Sequence, residues 1–378
     1  MTVAAGTALL PAYARFPVTF VDGEGSWLIA DDGRRYLDCI AGIAVVSLGH
    51  CHPAPLAAAR EQLERLWHVS NLYSTGPMED LAERLSDRFG GARAFFCNSG
   101  AEAVEAGLKY ARRATGKPGV VSLTGSFHGR TLGALSVTGQ PGKREAFEPL
   151  LPHVSFAAPN DADSLAAAMS AETGCILLEP VQGEGGVHEL DAGFVAEARR
   201  LADENGAVLL FDEVQTGVGR TGTFFAWQRV GVRPDAVTLA KGLANGLPIG
   251  CLLVGDEAPE GFAPGDHAST FGGNPVACAA ANAVCDELTD ELLAGVTATG
   301  LVLTPGLSEL PGVREVRGAG LLLGAELDRA AAEVVAKSAE RGLLVGTAGE
   351  NVLRLTPPLV VTAAEVDQAL GVLEEVLA

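Results

Sequence analysis

Positive charge is scarce in this chain. Its 378 residues hold 27 lysines and arginines against 47 aspartates and glutamates, a formal net charge of −20. Such a surface repels duplex nucleic acid and anionic membranes on average, which leaves small molecules and proteins as partners. Any anionic ligand then needs local arginines. The seven cysteines (39, 51, 97, 175, 251, 278 and 285) include no CxxC pair. An odd, unpatterned set of this kind points to reduced thiols and a cytoplasmic protein. No basic residue precedes Arg15 and no signal-peptide layout opens the chain. The apolar stretch 39–48 is too short to span a bilayer. HxxxH, clustered Cys/His and G-x-S-x-G patterns are absent as well, so no metal centre and no nucleophile elbow are expected.

Apolar residues are plentiful, at 48% against 20% charged, enough to bury a substantial core. The length suits two or three domains, or one large α/β domain with appendages. Residues 18–38 read as a small antiparallel sheet, with turns expected at Asp22-Gly23 and Asp32-Gly33. Helices are expected over 54–67 and 77–89. From 93 to 255, short apolar runs (93–97, 120–123, 154–157, 175–178, 208–211, 236–240, 250–254) alternate with helical patterns over 101–114, 161–171 and 192–205. That alternation argues for a largely parallel sheet under helical cover. After 276 come a helix, an expected break near Pro305 to Pro311, and a strand–helix set ending at 363–377. The tail reads as a separate α+β unit packed with residues 1–50.

Two polar residues each end such a run: Asp212 in Leu-Leu-Phe-Asp-Glu-Val-Gln (209–215) and Lys241 in Asp-Ala-Val-Thr-Leu-Ala-Lys-Gly (235–242). Side chains delivered this way reach the carboxyl edge of a sheet, where α/β folds bind ligands. The pair meets the needs of pyridoxal phosphate, an amine for its covalent anchor and a carboxylate for its ring nitrogen. A plain ion pair on strand ends would leave the same trace.

Other segments follow the same placement. Phe96-Cys97-Asn98-Ser99-Gly100-Ala101-Glu102 runs from strand to helix, suited to a phosphate at a helix N-terminus or to ordinary capping by Ser99. In Ser126-Phe127-His128-Gly129-Arg130-Thr131, Phe127 offers a face for ring stacking and Arg130 a fork for a carboxylate, while His128 is given no role. Glu179 and Glu184 close another strand among glycines. Arg354 lies on an apolar strand, where a cation costs desolvation unless it meets an anion. Gly217-Val218-Gly219-Arg220-Thr221-Gly222 satisfies G-x-G-x-x-G, but residues 223–234 leave no room for the helix and second strand of a dinucleotide reader.

Taken in order, these segments resemble the class III (omega-amino acid) aminotransferases of the fold-type I pyridoxal-phosphate superfamily. The resemblance rests on Gly-His-Cys-His-Pro (49–53), Asn-Ser-Gly-Ala-Glu (98–102), Ser-Phe-His-Gly-Arg-Thr (126–131), Glu-Pro-Val-Gln-Gly-Glu-Gly-Gly (179–186), residues 211–222, Leu-Ala-Lys-Gly (239–242) and Ser-Thr-Phe-Gly-Gly-Asn-Pro (269–275). It implies an α/β fold: a large domain over 51–270 with a mostly parallel sheet, and a smaller α+β domain formed by 1–50 and 271–378. It also implies pyridoxal 5'-phosphate as cofactor and a homodimer with its sites at the subunit interface. Lys241 would anchor the cofactor and Asp212, with Glu213 beside it, would meet the ring nitrogen. Val214 and Phe127 would sandwich the ring, with Gln215 near its phenolic oxygen. Ser99, Gly100 and Ala101 would hold the phosphate, joined by Thr270 from the neighbouring subunit. Arg130, with Ser269 nearby, would take the donor's remote carboxylate. Arg354 would take the α-carboxylate of L-glutamate or 2-oxoglutarate, with Glu184 masking it when an omega-amine binds. The likeness is strongest to the branch acting on N2-acetyl-L-ornithine, on Gly42-Ile43-Ala44-Val45, Ser70-Asn71-Leu72-Tyr73 and Leu353-Arg354-Leu355-Thr356-Pro357-Pro358; ornithine, succinylornithine or 4-aminobutyrate as donor, or a non-catalytic pyridoxal-phosphate-binding protein, are the alternatives. Ile43 stands where the ornithine branch has a tyrosine. Val46 replaces a frequent asparagine, and Ala244-Asn245 replace glycines.

Overall fold

Seven strands form the central sheet, in the order Ala92–Cys97, Gly250–Gly255, Ala236–Leu239, Val208–Asp212, Thr173–Leu178, Gly119–Leu123 and Val154–Ala157. The computed structural model describes residues 8–378, so the first seven residues of the expected N-terminal unit lie outside it. Six strands run parallel; only Gly250–Gly255 is reversed, antiparallel to both neighbours. Every residue of the strands 173–178, 208–212 and 236–239 is buried, as expected of a parallel sheet covered on both faces. Covering helices have sequence-encoded ends. Gly100–Thr115 is capped by Ser99, whose hydroxyl accepts from the Glu102 N–H, and stops at Gly116 in the left-handed region. Ala192–Asn205 stops the same way at Gly206.

The chain ends meet. The sheet of Phe20–Glu24, Trp27–Ala30 and Arg35–Asp38 takes a fourth strand, Leu343–Leu344, parallel to Arg35–Asp38. A second four-stranded sheet holds Val313–Ala319, Leu322–Leu327, Val352–Leu355 and Gly346–Thr347.

One expectation needs correction. The first hairpin turns at Gly25, and Asp22-Gly23 pairs within the strand opposite Leu28 and Ile29. The expected break falls at 309–312: the helix Asp290–Ser308 runs through Pro305, with Leu303 and Leu307 buried on either side, and ends before Pro311. The helix Pro275–Glu287 packs on Pro53–Leu63 and Gly76–Phe89. Its alanine-rich face lets those helices approach closely. The helix Asp290–Ser308 is long and apolar enough by composition to cross a membrane, but its Leu293, Val296, Leu303 and Leu307 are buried.

Residues 41–44 form one left-handed turn. Ala41, Gly42, Ile43 and Ala44 have φ of 48°, 63°, 68° and 60°. The N–H groups of Ile43 and Ala44 donate to Ile40 O, and those of Val45 and Val46 to Ala41 O. Asp38 fastens its start by accepting from Ile40 N–H (3.0 Å) and Ala41 N–H (2.8 Å), and His50 Nε2 lies 2.8 Å from the other Asp38 oxygen. Such turns are costly for L-residues with side chains, so the surrounding bonds must impose it.

Candidate active site

A cavity of about 310 Å³ opens at the carboxyl edge of the central sheet. Asp212 ends its strand there, Lys241 follows Ala236–Leu239 by two residues, and Ser99 and Gly100 follow Ala92–Cys97. Phe127 and Glu179 reach the cavity from the ends of two further strands. Gly250, which begins the reversed strand at this same edge, must be glycine: a Cβ there would lie 2.3 Å from Ser99 O.

The cup at Ser99, Gly100 and Ala101 opens a 16-residue helix. The N–H groups of a first turn have no intrahelical acceptor, and the helix dipole adds positive potential. A Cβ on Gly100 would meet Val214 Cγ1 at 2.7 Å, so the cup and the Val214 side chain fit only without one.

Asp212 is buried and held from three directions. One carboxylate oxygen accepts from the Thr238 hydroxyl (3.0 Å) and the Val214 N–H (3.1 Å); the other lies 2.7 Å from His128 Nδ1. His128 Nε2 in turn lies 3.3 Å from Ser122 Oγ. His128 and Thr238 were invisible as site residues in the sequence. Thr238 sits three residues before Lys241 in an apolar run, and His128 directly follows the stacking candidate Phe127. Glu179 also has a definite place: its carboxylate accepts from the Phe127 N–H at 2.9 Å. Burial, then the Asp212 charge, push the Glu179 carboxyl well above its ordinary range.

Lys241 is half-buried and lines the cavity. Burial lowers its amine to about 8, against the opposing pull of Glu184; Arg354 lowers it further, while Asp212 and Glu179 raise it. An amine tuned to this range is partly unprotonated near neutral pH, the condition for a base.

Arg354 and Glu184 form a direct ion pair. The same guanidinium nitrogen of Arg354 donates to Gly183 O (2.9 Å) and Gln215 Oε1 (3.1 Å), while its buried Nε has no partner. Burial pushes the Glu184 carboxyl up, but the charge and hydrogen bond of Arg354 overcome this and hold it below its ordinary range.

Other expected residues lie apart. The buried Glu213 carboxylate turns away to accept from the Ala226 (2.6 Å) and Trp227 (2.8 Å) N–H groups, which corrects its expected cofactor contact. Burial raises that carboxyl to about 8, despite the two donors. Ile43 is outside the cavity and 46% exposed, whereas Val45, just after its turn, lines it. Ser269 accepts from the Gly272 N–H (3.0 Å) and Asn98 Nδ2 (3.3 Å), and Thr270 beside it is exposed. Arg130 is exposed, with its guanidinium carbon 5.6 Å from the Phe127 ring centre. Asn245 does the work of the expected glycine by taking φ 48°, and its amide bonds Leu48 N–H and Gly49 O. Arg220 of the glycine-rich loop is buried and donates to Leu321 O and Pro357 O, a tie between domains and not a ligand reader. Among the described residues no cluster of His, Cys, Asp and Glu could hold a metal.

These residues fit pyridoxal phosphate. An anion cup, a buried carboxylate fixed by three donors and a half-buried amine of lowered pKa surround one cavity, with Val214 and Phe127 on its lining. Comparison with known proteins agrees. The family model described as Aminotransferase class-III matches residues 10–377. The acetylornithine aminotransferase of Caldanaerobacter subterraneus subsp. tengcongensis is 47% identical, over 98% of this chain and 97% of its own. That of Aquifex aeolicus is 45% identical, over 98% and 100%. Among solved structures, the N-acetylornithine aminotransferase of Stenotrophomonas maltophilia K279a superposes with a TM-score of 0.83 at 37% identity, covering 97% of this chain and 96% of that one. The ornithine aminotransferase of Toxoplasma gondii ME49 gives 0.93 at 31%, covering 98% and 92%.

Proposed function

The chain belongs to the class-III aminotransferases, and from that membership we propose the following reading of its reaction and site. It is a pyridoxal-phosphate-dependent aminotransferase. It moves the terminal amine of N2-acetyl-L-ornithine to 2-oxoglutarate, giving N-acetylglutamate 5-semialdehyde and L-glutamate, a step of arginine biosynthesis. The observation that carries this reading is the Glu184–Arg354 pair beside the amine of Lys241.

When bound, pyridoxal phosphate supplies an electron sink for the carbon that carries the migrating amine. Ser99, Gly100 and Ala101 would hold its phosphate, Val214 and Phe127 would flank its ring, Gln215 would lie near its phenolic oxygen and Asp212 would meet its ring nitrogen. Asp212 cannot swing away, because Thr238, Val214 and His128 hold it. Lys241 would anchor the cofactor; once the donor's terminal amine takes the place of its Nζ, the freed lysine amine would accept the proton leaving the donor's terminal carbon and hold it for return. Arg130, with Ser269 nearby, meets the carboxylate at the donor's far end.

Arg354 serves the other half-reaction. L-Glutamate and 2-oxoglutarate bring a carboxylate next to the reacting carbon, whereas the reacting end of acetylornithine has none. Glu184 covers Arg354 in the second case and releases it in the first. Glu184→Ala is therefore expected to improve the glutamate half-reaction relative to the acetylornithine one by roughly tenfold, about 1.4 kcal/mol of differential binding. Single-turnover spectroscopy of each half-reaction measures the ratio; equal changes in both would remove the gate.

Donor choice follows from apolar surface. Val45 lines the cavity, Val46 approaches Gly246 of its lining, and Ile43 lies in the turn just before them. None offers a partner for the free α-ammonium of ornithine, whose burial unpaired costs several kcal/mol. N-Acetylornithine is expected to exceed ornithine in kcat/KM by roughly a hundredfold or more. N-Succinylornithine should be a usable donor. Ile43→Tyr should narrow the ornithine gap. A steady-state donor panel with 2-oxoglutarate tests this, and equal use of ornithine and acetylornithine would overturn the donor while leaving the class.

The protein acts as a homodimer in the cytoplasm. An apolar surface supports the first: Leu66, Trp67, Leu72, Tyr73 and Phe271 are all exposed, and Asn71 ties their segment to Ser269 O and Gly272 O beside the exposed Thr270. In the dimer Thr270 would reach the phosphate of the partner's cofactor. Seven free cysteines, six of them buried, support a reducing compartment.

A further inference from the structure

Beyond the residues already assigned, we infer that Lys143 is a second cation for the donor's remote carboxylate, working beside Arg130 over the Phe127 ring. This rests on the proposed donor site, which it refines. Lys143 lies on the short helix Pro141–Arg144. Its Nζ stands 5.4 Å from the centre of the Phe127 ring, and the Arg130 guanidinium carbon stands 5.6 Å from the same centre. Neither side chain has a hydrogen bond or ion pair among the described residues, although acids outnumber cations 47 to 27 in this chain. Arg144, the next residue, faces elsewhere, over Phe156 at 4.4 Å.

Two unpaired cations sharing one aromatic ring repel each other. Cation–π attraction is weak at such exposed or half-buried sites, so the pair lacks an anion. Lys143 is half-buried, and burial lowers its amine from the ordinary value; Glu184 opposes this, while Arg130 and Arg354 add to it. Three charges of the substrate site thus act on this lysine. One terminal nitrogen of Arg354 is already engaged by Glu184 and Gln215. Arg130 presents a planar fork and Lys143 a compact point charge. Together they can meet both oxygens of one carboxylate, which accounts for a cation that Arg130 alone would make superfluous.

The test uses N2-acetyl-L-norvaline, which keeps the acyl group and carboxylate of the donor but has no terminal amine to react. Its carboxamide serves as the uncharged counterpart. Calorimetric binding to the cofactor-loaded protein should weaken about tenfold for the acid in Lys143→Met, with the ratio of acid to carboxamide affinity falling by the same factor. Lys143→Arg should recover most of that ratio. In turnover, the kcat/KM ratio of N-acetylornithine to N-acetylputrescine, its counterpart without the carboxylate, should fall in parallel. An unchanged ratio, or equal losses for acid and carboxamide, overturns the inference. So does a Lys143→Met effect confined to the glutamate half-reaction, which would make the lysine a resting partner of Glu184. If Arg130→Met also left the acid-to-carboxamide ratio unchanged, the donor site itself would be misread.

Discussion

Lys241→Ala is expected to lower transamination by about 10⁴-fold or more, because on the proposed roles one substitution removes both the cofactor's anchor and the base that moves the proton. The fold should tolerate it. The amine is half-buried and its charged form is disfavoured there, so alanine removes a desolvation cost and leaves few contacts unmade. Its positive φ of 40° is no worse for alanine than for lysine. Steady-state assay with acetylornithine and 2-oxoglutarate gives the loss. Borohydride treatment of the wild type should fix the cofactor to the peptide that holds Lys241. An adduct on Lys109, Lys117, Lys143 or Lys337 would end the assignment.

Asp212→Ala should cost transamination about 10²–10³-fold, the scale of removing one preorganised electrostatic contact. Cofactor affinity should fall far less, since the cup at Ser99, Gly100 and Ala101 is untouched. The alanine variant also strands Thr238 and His128, so Asp212→Asn is the cleaner companion. Asparagine keeps an oxygen for the Thr238 hydroxyl and the Val214 N–H but loses the negative charge. Both variants should be slow. Near-normal turnover in either, with cofactor bound as judged by its absorbance, would make the carboxylate purely structural.

Much of this architecture is readable from residue order. The seven central strands declare themselves because a parallel sheet covered on both faces needs unbroken apolar runs, and polar residues at their ends then fall on one edge. Asp212, Lys241, Phe127 and the Ser99 cup were legible for that reason. His128 and Thr238 were not, since their part is to hold Asp212, and partners 84 and 26 residues away leave no local pattern. Glu213 misled through adjacency. A strand sends successive side chains to opposite faces, so the residue after Asp212 points away from the cavity and caps Ala226 and Trp227. The first hairpin misled through composition, as Asp-Gly marks turns in general but here lies inside a strand. The left-handed turn at 41–44 had no signal beyond Gly42. Asp38 and the hydrogen bonds to Ile40 and Ala41 impose it against local preference.

That turn also bears on how the sequence can drift. A β-branched residue in the left-handed region costs about 1–2 kcal/mol relative to its ordinary backbone, and Ile43 at φ 68° regains little of this through burial. Glycine or asparagine would relieve the backbone at once. Stability alone therefore favours glycine or asparagine over isoleucine at position 43. The strain at Ile43 is thus a cost that the packing of its own turn does not repay.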